Sequence, residues 1–428
     1  MVKTNGLQLP TGTIKDVEEG YKYLGIMQSD TNHESEARTR AIAEYKKRVR
    51  QVLRSRLNAR NQVRAINAYA VPVIRYPAGI IKWTEESITE ADITSRKLLT
   101  IHGAFNPKSN TARLYLSRKE GGRGIVSVKQ AVREEEQSIR AYIASMACID
   151  KVIAESHSII TSEEPPTDDL PQWQSMPLHG AYHRHISEVG DVHQTYGWLH
   201  KGDLAASTEA LILAAQEQVL PTRQRQTQIY KTRMDSRCRL CKDQPETIQH
   251  IISGCRLLAG TAYTERHNHV AGVVYRGLCA EYGLSQPKNW WEVPDKVNEN
   301  NHVKILWDFY IHTDKHVLAN QPDIVVVDKG NKRATIIDIT VPSDYNIASK
   351  EKEKVEKYQP LREEIEKCWK VKTTVVPIVI GALGAVTPAH QMWLAQLPSV
   401  PDSYQLQKSA LLGTAKILRR VLKLPGLW

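Results

Sequence analysis

The sequence has no hydrophobic run long enough to cross a bilayer. Its longest nearly apolar run, residues 373–386, is too short and is interrupted by Pro377, Gly381 and Gly384. No signal peptide is visible in residues 1–20. The sequence therefore offers no candidate for a membrane-spanning segment.

Cysteine is scarce and unevenly placed. Three of the six cysteines fall in one window of eighteen residues, 238–255. This distribution does not indicate a disulfide framework. It is typical of a protein of a reducing compartment that carries a metal site.

Acidic residues are too few to balance the basic ones. Lys and Arg number 58 against 47 Asp and Glu, which gives a net charge of +11 and a pI near 9.2. Such a balance favours a polyanionic partner, with nucleic acid first and an acidic membrane second. The chain of 428 residues is long enough for two to four domains, and its 41% hydrophobic content is ordinary for a globular protein.

The stretch 321–358 predicts a β-hairpin that carries paired acids. Two β-branched runs, 324–327 and 334–341, flank a turn signal at residues 329–331. The strand period of two places Asp338 on one face, and Asp323 stands at the start of the partner strand. Two carboxylates at one buried edge are costly unless a divalent cation lies between them, and oxygen ligands suit Mg²⁺ or Mn²⁺.

A segment rich in Glu and Lys, residues 348–369, follows and predicts a helix. Lys350, Lys354 and Lys357 are spaced to share one face of it. Two acids, a lysine and a metal are the groups needed for phosphodiester hydrolysis. The alternative is a solvated helix beside an ordinary hairpin.

A second motif predicts a structural zinc site. Cys238, Cys241, His250 and Cys255 have the spacing C-x2-C-x8-H-x4-C. Three thiolates and one imidazole suit a closed tetrahedral Zn²⁺ site. The alternative is a set of buried free cysteines. Downstream, Arg266 and His267 are interpreted as helix-packing or phosphate-contacting residues, not catalytic ones.

Basic residues crowd residues 33–70, which are expected to form a long helix with a buried apolar stripe. A helix with this excess of arginine can clamp the backbone of a duplex. A turn rich in Gly and cations, residues 118–124, could also approach a phosphate. In both places the alternative is a solvated surface or a plain loop. The predicted nucleic-acid-binding residues are Arg48, Arg50, Arg54, Arg56, Arg60 and Arg123.

The paired acids resemble the PD-(D/E)xK nucleases, in the variant of R2-type non-LTR retrotransposons. In the common motif a lysine stands two residues after the second acid, where this chain has Thr340. The retrotransposon variant takes its lysine from the next helix in a K-x-x-K-Y pattern, which Lys354, Lys357 and Tyr358 match. Which lysine acts stays open. The cysteine motif is similar to the CCHC knuckle of the same proteins.

The resemblance extends toward the start of the chain. Residues 21–26 are similar to a Y-L-G strand near the end of a reverse-transcriptase palm, and the basic helix is similar to the following thumb. The paired polymerase aspartates are absent, because the only adjacent pair, Asp168–Asp169, lies in a Pro-rich segment. The chain is therefore expected to be a fragment that does not polymerise DNA by itself.

The resemblance implies a multidomain fold. It comprises a mainly α N-terminal thumb and linker region, a CCHC zinc knuckle and a C-terminal α/β restriction-endonuclease-like domain. The expected segments are the palm end (1–30), the thumb (31–155), a linker and helical region (156–235), the knuckle (236–258) and the endonuclease (259–428).

The implied activity is metal-dependent nicking of target double-stranded DNA in the nucleus, which primes reverse transcription of the element RNA. Asp323 and Asp338 would hold Mg²⁺ or Mn²⁺, with Lys354 or Lys357 at the water or the phosphate. RNA-directed DNA polymerase activity would belong only to the full-length element. The alternative is a catalytically inactive nucleic-acid-binding module from a decayed or co-opted element. The sequence does not predict an oligomeric state.

Overall fold

The computed structural model describes residues 7–14, 21–23, 26–28, 34–146, 173–289 and 291–425. The chain divides into two compact units. Described residues of the first belong to Met1–Leu57, Asn61–His102 and Ile125–Leu170. Those of the second belong to Asn58–Arg60, Gly103–Gly124 and Pro171–Trp428.

Helices predominate among the described residues. The strands are β1 (Leu7–Leu9), β2 (Gly12–Ile14), β3 (Tyr21–Tyr23), β4 (Ile26–Gln28), β5 (Val297–Glu299), β6 (Val303–Trp307), β7 (Ile324–Asp328), β8 (Arg333–Thr340) and β9 (Lys372–Val379). The α-helices are α1 (Glu34–Leu53), α2 (Ala59–Ala65), α3 (Pro72–Ala78), α4 (Glu85–Ile101), α5 (Ala112–Tyr115), α6 (Val128–Met146), α7 (Ala181–Val189), α8 (Val192–Thr195), α9 (Gly197–Lys201), α10 (Ala206–Gln216), α11 (Arg223–Gln228), α12 (Arg256–Leu258), α13 (Thr264–Glu281), α14 (Ile347–Lys357), α15 (Gln359–Trp369), α16 (His390–Leu394) and α17 (Ser403–Leu422).

The first unit is helical, with two separate antiparallel strand pairs, β1–β2 and β3–β4. Helix α1 buries Tyr45, Val49 and Val52 along one stripe, as expected of an amphipathic helix. The predicted single helix over 33–70 is wrong. The chain leaves helical geometry after Leu53 and resumes with α2 and a π-helix, Ile66–Ala70.

The second unit contains a five-stranded mixed sheet in the order β5-β6-β7-β8-β9. Neighbouring strands are antiparallel, except that β8 and β9 are parallel. The predicted hairpin is present as β7 and β8. The β8–β9 pairing is parallel because α14 and α15 carry the chain back across one face of the sheet, as a crossover connection must.

The predicted helix over 348–369 is interrupted at Tyr358. Pro360 stands at the start of α15. A proline has no amide hydrogen to donate, and its ring clashes with the carbonyl of the residue four positions earlier in a continuous helix. The chain therefore ends α14 at Lys357 and restarts one residue later, so Lys354 and Lys357 stand in the last turn of α14.

Each sheet face covers its own apolar core. One face presents Ile324, Val326, Ile337 and Ile339 to a large core that includes helix α13. The other presents Val325, Ile336 and Val375 to a smaller core with Leu361 and Ile365 of α15. The alternation follows from the strand period of two.

The zinc-motif segment is not a separate domain. Cys238, Ile248, Ile251 and Cys255 belong to the same apolar core as the sheet residues Ile337 and Ile339. The predicted border between 236–258 and 259–428 therefore does not appear in the described residues. Most of the predicted palm segment, with residues 24–25 of its Y-L-G strand, and the aspartates at 168–169 lie outside those residues.

Helix α17 differs from its prediction. The sequence predicts a basic helix over 409–424 that packs on the sheet with Arg419, Arg420 and Lys423 outward, and Arg420 and Lys423 are exposed as predicted. The helix instead begins at Ser403 and packs against α13, and Arg419 is buried and donates a hydrogen bond to Thr208 at 2.9 Å. Among the described helices, none is long and apolar enough to cross a membrane.

Candidate active site and metal centre

The hairpin register places the two predicted catalytic acids side by side. Ile324 pairs with Ile337, so the next pair outward is Asp323 with Asp338. Opposed residues of antiparallel strands point to the same face. Asp338 lies on the face that carries Ile336, and the Asp323 carboxylate is close enough for its charge to raise the pKa of Asp338. Asp338 is almost fully buried, whereas the Asp323 side chain is 23% exposed.

Lys354 of helix α14 reaches Asp338. Its Nζ lies 2.6 Å from Asp338 Oδ2, whereas the Lys357 Nζ lies 4.0 Å from Oδ1. The Lys354 side chain is 16% exposed and that of Lys357 is 41% exposed. Removing one partner of a buried ion pair costs about 3–5 kcal/mol. The contact between Lys354 and Asp338 therefore also contributes to the stability of the fold. Of the two lysines left open by the sequence, Lys354 is the one in contact.

The environment opposes ionisation of Asp338. Burial raises the pKa of Asp338, and the adjacent charge of Asp323 raises it further, while Lys354 acts in the opposite direction. Burial also raises the pKa of Tyr358, whose hydroxyl lies near Asp338 and accepts a hydrogen bond from Lys357 Nζ at 3.0 Å. A cation between the carboxylates would relieve their mutual repulsion.

Asp323 is held by groups on two elements. Its Oδ2 accepts a hydrogen bond from the Ile339 amide at 2.6 Å and lies 3.1 Å from His267 Nε2. The same His267 nitrogen lies 3.0 Å from the Ile339 carbonyl oxygen. Although burial alone disfavours the imidazolium, the hydrogen bond and charge of Asp323 raise the pKa of His267 to about 9.

His267 is the site residue that sequence reasoning missed. It lies on α13, more than fifty residues before Asp323, and no local spacing links the two. Its neighbour Arg266 confirms the packing interpretation. Arg266 is 2% exposed and donates to Thr414 Oγ1 at 2.9 Å and to the Val341 carbonyl at 3.0 Å.

The acids leave oxygen atoms for a cation. Within the described residues, only Oδ2 of Asp323 accepts hydrogen bonds, so its Oδ1 is open. Two carboxylates at one edge are a donor set that Mg²⁺ or Mn²⁺ accepts. The two acids are therefore chemically suitable ligands for a divalent cation. Lys354 and His267 already offset their negative charge, so the charge balance of the site does not require a bound metal.

A cleft opens beside this edge. It has a volume of about 400 Å³ and is lined by His267 and Thr340, by Tyr263 near the cysteine cluster and by Lys350 of α14. Lys350 forms an ion pair with Glu353 of the same helix at 2.5 Å. His267 links this cleft to Asp323, although neither acid lines the cleft itself.

The four residues of the predicted zinc motif form one cluster. The side-chain donor atoms of Cys238, Cys241, His250 and Cys255 all lie within 4.8 Å of one another, and this cluster could hold a metal ion. Cys241 Sγ lies 3.3 Å from His250 Nε2. Tetrahedral zinc with bonds of about 2.3 Å to sulfur would need donor separations of about 3.8 Å, which these atoms can reach with small shifts.

Hydrogen bonds fix the backbone around the cluster. The Cys238 amide donates to the Gln244 carbonyl at 2.8 Å, which closes the turn that carries the first two cysteines. Tyr263 Oη accepts from the Cys255 amide at 3.0 Å and donates toward the Ile251 carbonyl at 2.8 Å. A fixed outer shell of this kind orients ligands for a metal.

The predicted nucleic-acid-binding arginines divide into two groups. Arg50, Arg54 and Arg56 are exposed, and they remain candidates for phosphate contact. Arg48 donates to Glu44 at 3.0 Å and to the Tyr69 carbonyl at 2.9 Å, and Arg60 is paired with Asp203 at 3.3 Å. Those two side chains therefore make contacts within the protein and are weaker candidates for phosphate contact.

The prediction for Arg123 is wrong. Its side chain is 3% exposed and lies 2.9 Å from Glu209 of α10, which also binds Arg118. The Gly and Arg turn therefore closes over a buried carboxylate, because two guanidinium groups compensate the charge of Glu209. It does not present these cations to a phosphate.

Comparison of the chain with protein-family models and with curated proteins found no match. What the protein does must therefore be inferred from its own side chains.

Proposed function

We propose that this protein is a metal-dependent endonuclease that nicks double-stranded DNA. The observation that carries the proposal is the contact of Lys354 with Asp338 at 2.6 Å, beside Asp323 at the edge of a mixed sheet. Two acids and one amine on adjacent elements are the minimal set for metal-assisted phosphodiester hydrolysis. The net charge of +11 agrees with a polyanionic substrate.

Each residue of the site has a separate role in this proposal. Asp323 and Asp338 would hold Mg²⁺ or Mn²⁺, which when bound supplies a polarised phosphate and a water of lowered pKa. Lys354, anchored by Asp338, would neutralise charge that develops on the phosphate. His267 would position Asp323 through the bond to Oδ2, which leaves Oδ1 directed to the cation. Lys357, at 4.0 Å, is a second cation for the phosphate.

The cysteine cluster would hold a structural Zn²⁺. Four protein donors leave no open position for a substrate, so the ion would brace the segment that borders the cleft. Because this segment shares its core with the sheet, loss of the ion would loosen the same edge that carries the acids.

The wider biological role follows the resemblance to R2-type elements. The nick would leave a 3′ hydroxyl on the target DNA, and a polymerase located elsewhere in the element would extend it on the element RNA. This role requires a nuclear location. DNA and the element RNA would be the partners, and no membrane would take part.

A second candidate is a nucleic-acid-binding module without catalysis. One observation favours it, because each acid already has a cationic partner in Lys354 or His267. A carboxylate pair that is neutralised in this way can be stable without any metal.

A plasmid-nicking assay tests the proposal and separates the two candidates. Purified protein with Mg²⁺ or Mn²⁺ should convert supercoiled plasmid to the open circle, and chelation should stop the reaction. The isosteric change Asp338→Asn should lower the rate at least about a hundredfold, because several kcal/mol of charge stabilisation are lost. Glu90→Gln, which changes a surface acid that is 76% exposed, is the matched control.

Two outcomes would defeat the endonuclease assignment. Nicking at equal rates by the wild type and by Asp338→Asn would show that a contaminant cuts the plasmid. DNA binding by both proteins with no nicking by either would leave the non-catalytic module as the function.

A further inference from the structure

A second cavity lies on the same face of the sheet as Asp338. It has a volume of about 620 Å³, and its floor is apolar. Leu306 of β6 and Val327 of β7 form the base, and Phe309 and Trp369 form the walls. Phe309, Val327 and Trp369 are only partly buried at the margin of the smaller core, so the cavity exposes aromatic surface to solvent. Exposed apolar surface of this kind marks a binding site more often than chance.

Four lysines surround this floor: Lys304, Lys329, Lys332 and Lys370. Lys304 and Lys329 both face the one acid Glu299, at 3.9 and 3.0 Å. Within the described residues, Lys332 and Lys370 have no acidic partner. The rim therefore carries a clear excess of positive charge, and no acid lines the cavity itself.

The backbone at two rim positions is unusual for lysine. Lys332 has φ of 50° and Lys370 has φ of 54°, in the left-handed region that favours glycine or asparagine. The Lys372 amide donates to the Lys332 carbonyl at 2.9 Å, which ties the two turns together. Lys370 adopts this conformation as the C-cap of α15, as residues at helix ends commonly do, and both positions carry a cation of the cavity rim.

We propose that this cavity binds an unpaired segment of single-stranded nucleic acid. One base would stack against Trp369 and Phe309, and the flanking phosphates would lie on Lys332 and Lys370. Aromatic walls beside a cationic rim are the two features that hold single strands without regard to sequence. The inference rests on the proposed function as an endonuclease, and it adds a second place at which the protein contacts nucleic acid.

The position of the cavity suits this use. Val327 of β7 and Asp323, which directly precedes β7, are four residues apart, which is about 14 Å along an extended chain. That span corresponds to roughly four nucleotides at the rise of a DNA strand. Helix α15 lies between the two places and ends at Trp369. A strand opened next to the acids would therefore pass around α15 to reach the cavity.

A binding assay with a defined probe tests the inference. The probe is a fluorescein-labelled single strand of deoxythymidine, and the protein is the full chain. Lys332→Gln with Lys370→Gln should weaken binding about tenfold, and Trp369→Ala should weaken it by a similar factor. Lys367→Gln with Lys372→Gln is the matched control, because it removes two exposed lysines of the same region that do not line the cavity.

A spectroscopic readout separates stacking from a loss of fold. Trp369→Phe keeps an aromatic wall, so it should retain binding, whereas the probe-induced quenching of tryptophan emission should diminish. The lysine variants alter exposed side chains, so their effect does not depend on how well Trp369→Ala folds.

The outcomes are distinguishable from those of the nicking assay. Asp338→Asn should bind the probe as tightly as the wild type even if it fails to nick. Equal affinity of the two double-lysine variants for the probe would overturn the inference. The inference would also be overturned if Lys332→Gln with Lys370→Gln lost binding to phosphatidylserine vesicles but kept its affinity for the probe. That result would assign the cavity to an anionic lipid.

Discussion

Replacing His267 by glutamine should remove a pH-dependent part of the stability of the second unit. In the folded chain Asp323 raises the pKa of His267 to about 9, against 6.5 for an unperturbed histidine. A group with a raised folded pKa stabilises the fold fully below its unfolded pKa, and that contribution is lost as the pH rises through the folded pKa. The relevant window is therefore between about pH 6.5 and about pH 9.

The size of the effect follows from the same pKa difference. At 1.36 kcal/mol per pKa unit, the wild type should lose at most about 3 kcal/mol of unfolding free energy across this window. Asp323 is the acid that faces His267, while Arg266 and Lys350 line the adjoining cleft. The loss is therefore assigned to the His267–Asp323 pair.

Denaturant unfolding monitored by circular dichroism at several pH values measures this loss. His267→Gln should be less stable than the wild type at the acid end and about equally stable at the alkaline end. His269→Gln is the matched control. Burial lowers the pKa of His269, so its titration lies below the window and its variant should keep the wild-type slope. If His267→Gln and the wild type lose the same free energy, the imidazolium–carboxylate pair does not exist in solution.

The other predictions concern the metal cluster and the basic helix. The purified protein should carry about one zinc per chain, measured by elemental mass spectrometry, and Cys241→Ser should lose it, whereas Cys279→Ser, which changes a free cysteine outside the cluster, should keep it. A wild type without zinc would remove the structural-zinc proposal. Joint replacement of Arg50, Arg54 and Arg56 by glutamine should reduce the slope of log affinity for duplex DNA against log salt by about 3, since each phosphate contact contributes about 0.9. An unchanged slope would show that these three arginines, at the end of α1 and in the segment that follows it, do not contact the DNA backbone.

The pairing of the two acids was accessible from the sequence because it depends on short-range periodicity. A turn signal between two β-branched runs sets the hairpin, and the period of two then sets the faces. Asp323 and Asp338 needed no further information to be placed side by side. The cysteine cluster was accessible for a similar reason, since its four donors fall within eighteen residues.

The choice between lysines, and the partner of Asp323, could not be predicted in this way. Lys354 and Lys357 both satisfy the helical spacing, and only the break at Tyr358 and the packing of α14 bring Lys354 to 2.6 Å from Asp338. His267 reaches Asp323 because α13 packs across the end of the sheet. Because His267 and Asp323 are more than fifty residues apart, no helix or strand periodicity in the sequence relates them.

Charge was the least reliable guide in the sequence. Arg123 and Arg419 were expected at the surface, and both are buried. Their burial depends on a compensating Glu209 in one case and on Thr208 in the other, each supplied by a distant helix. The sequence by itself determined which residues alternate along a strand and which cysteines lie close enough to share a metal, because these are local properties of the chain. Only the tertiary structure decided which cations face solvent and which acids they neutralise, because that depends on which distant segments pack together.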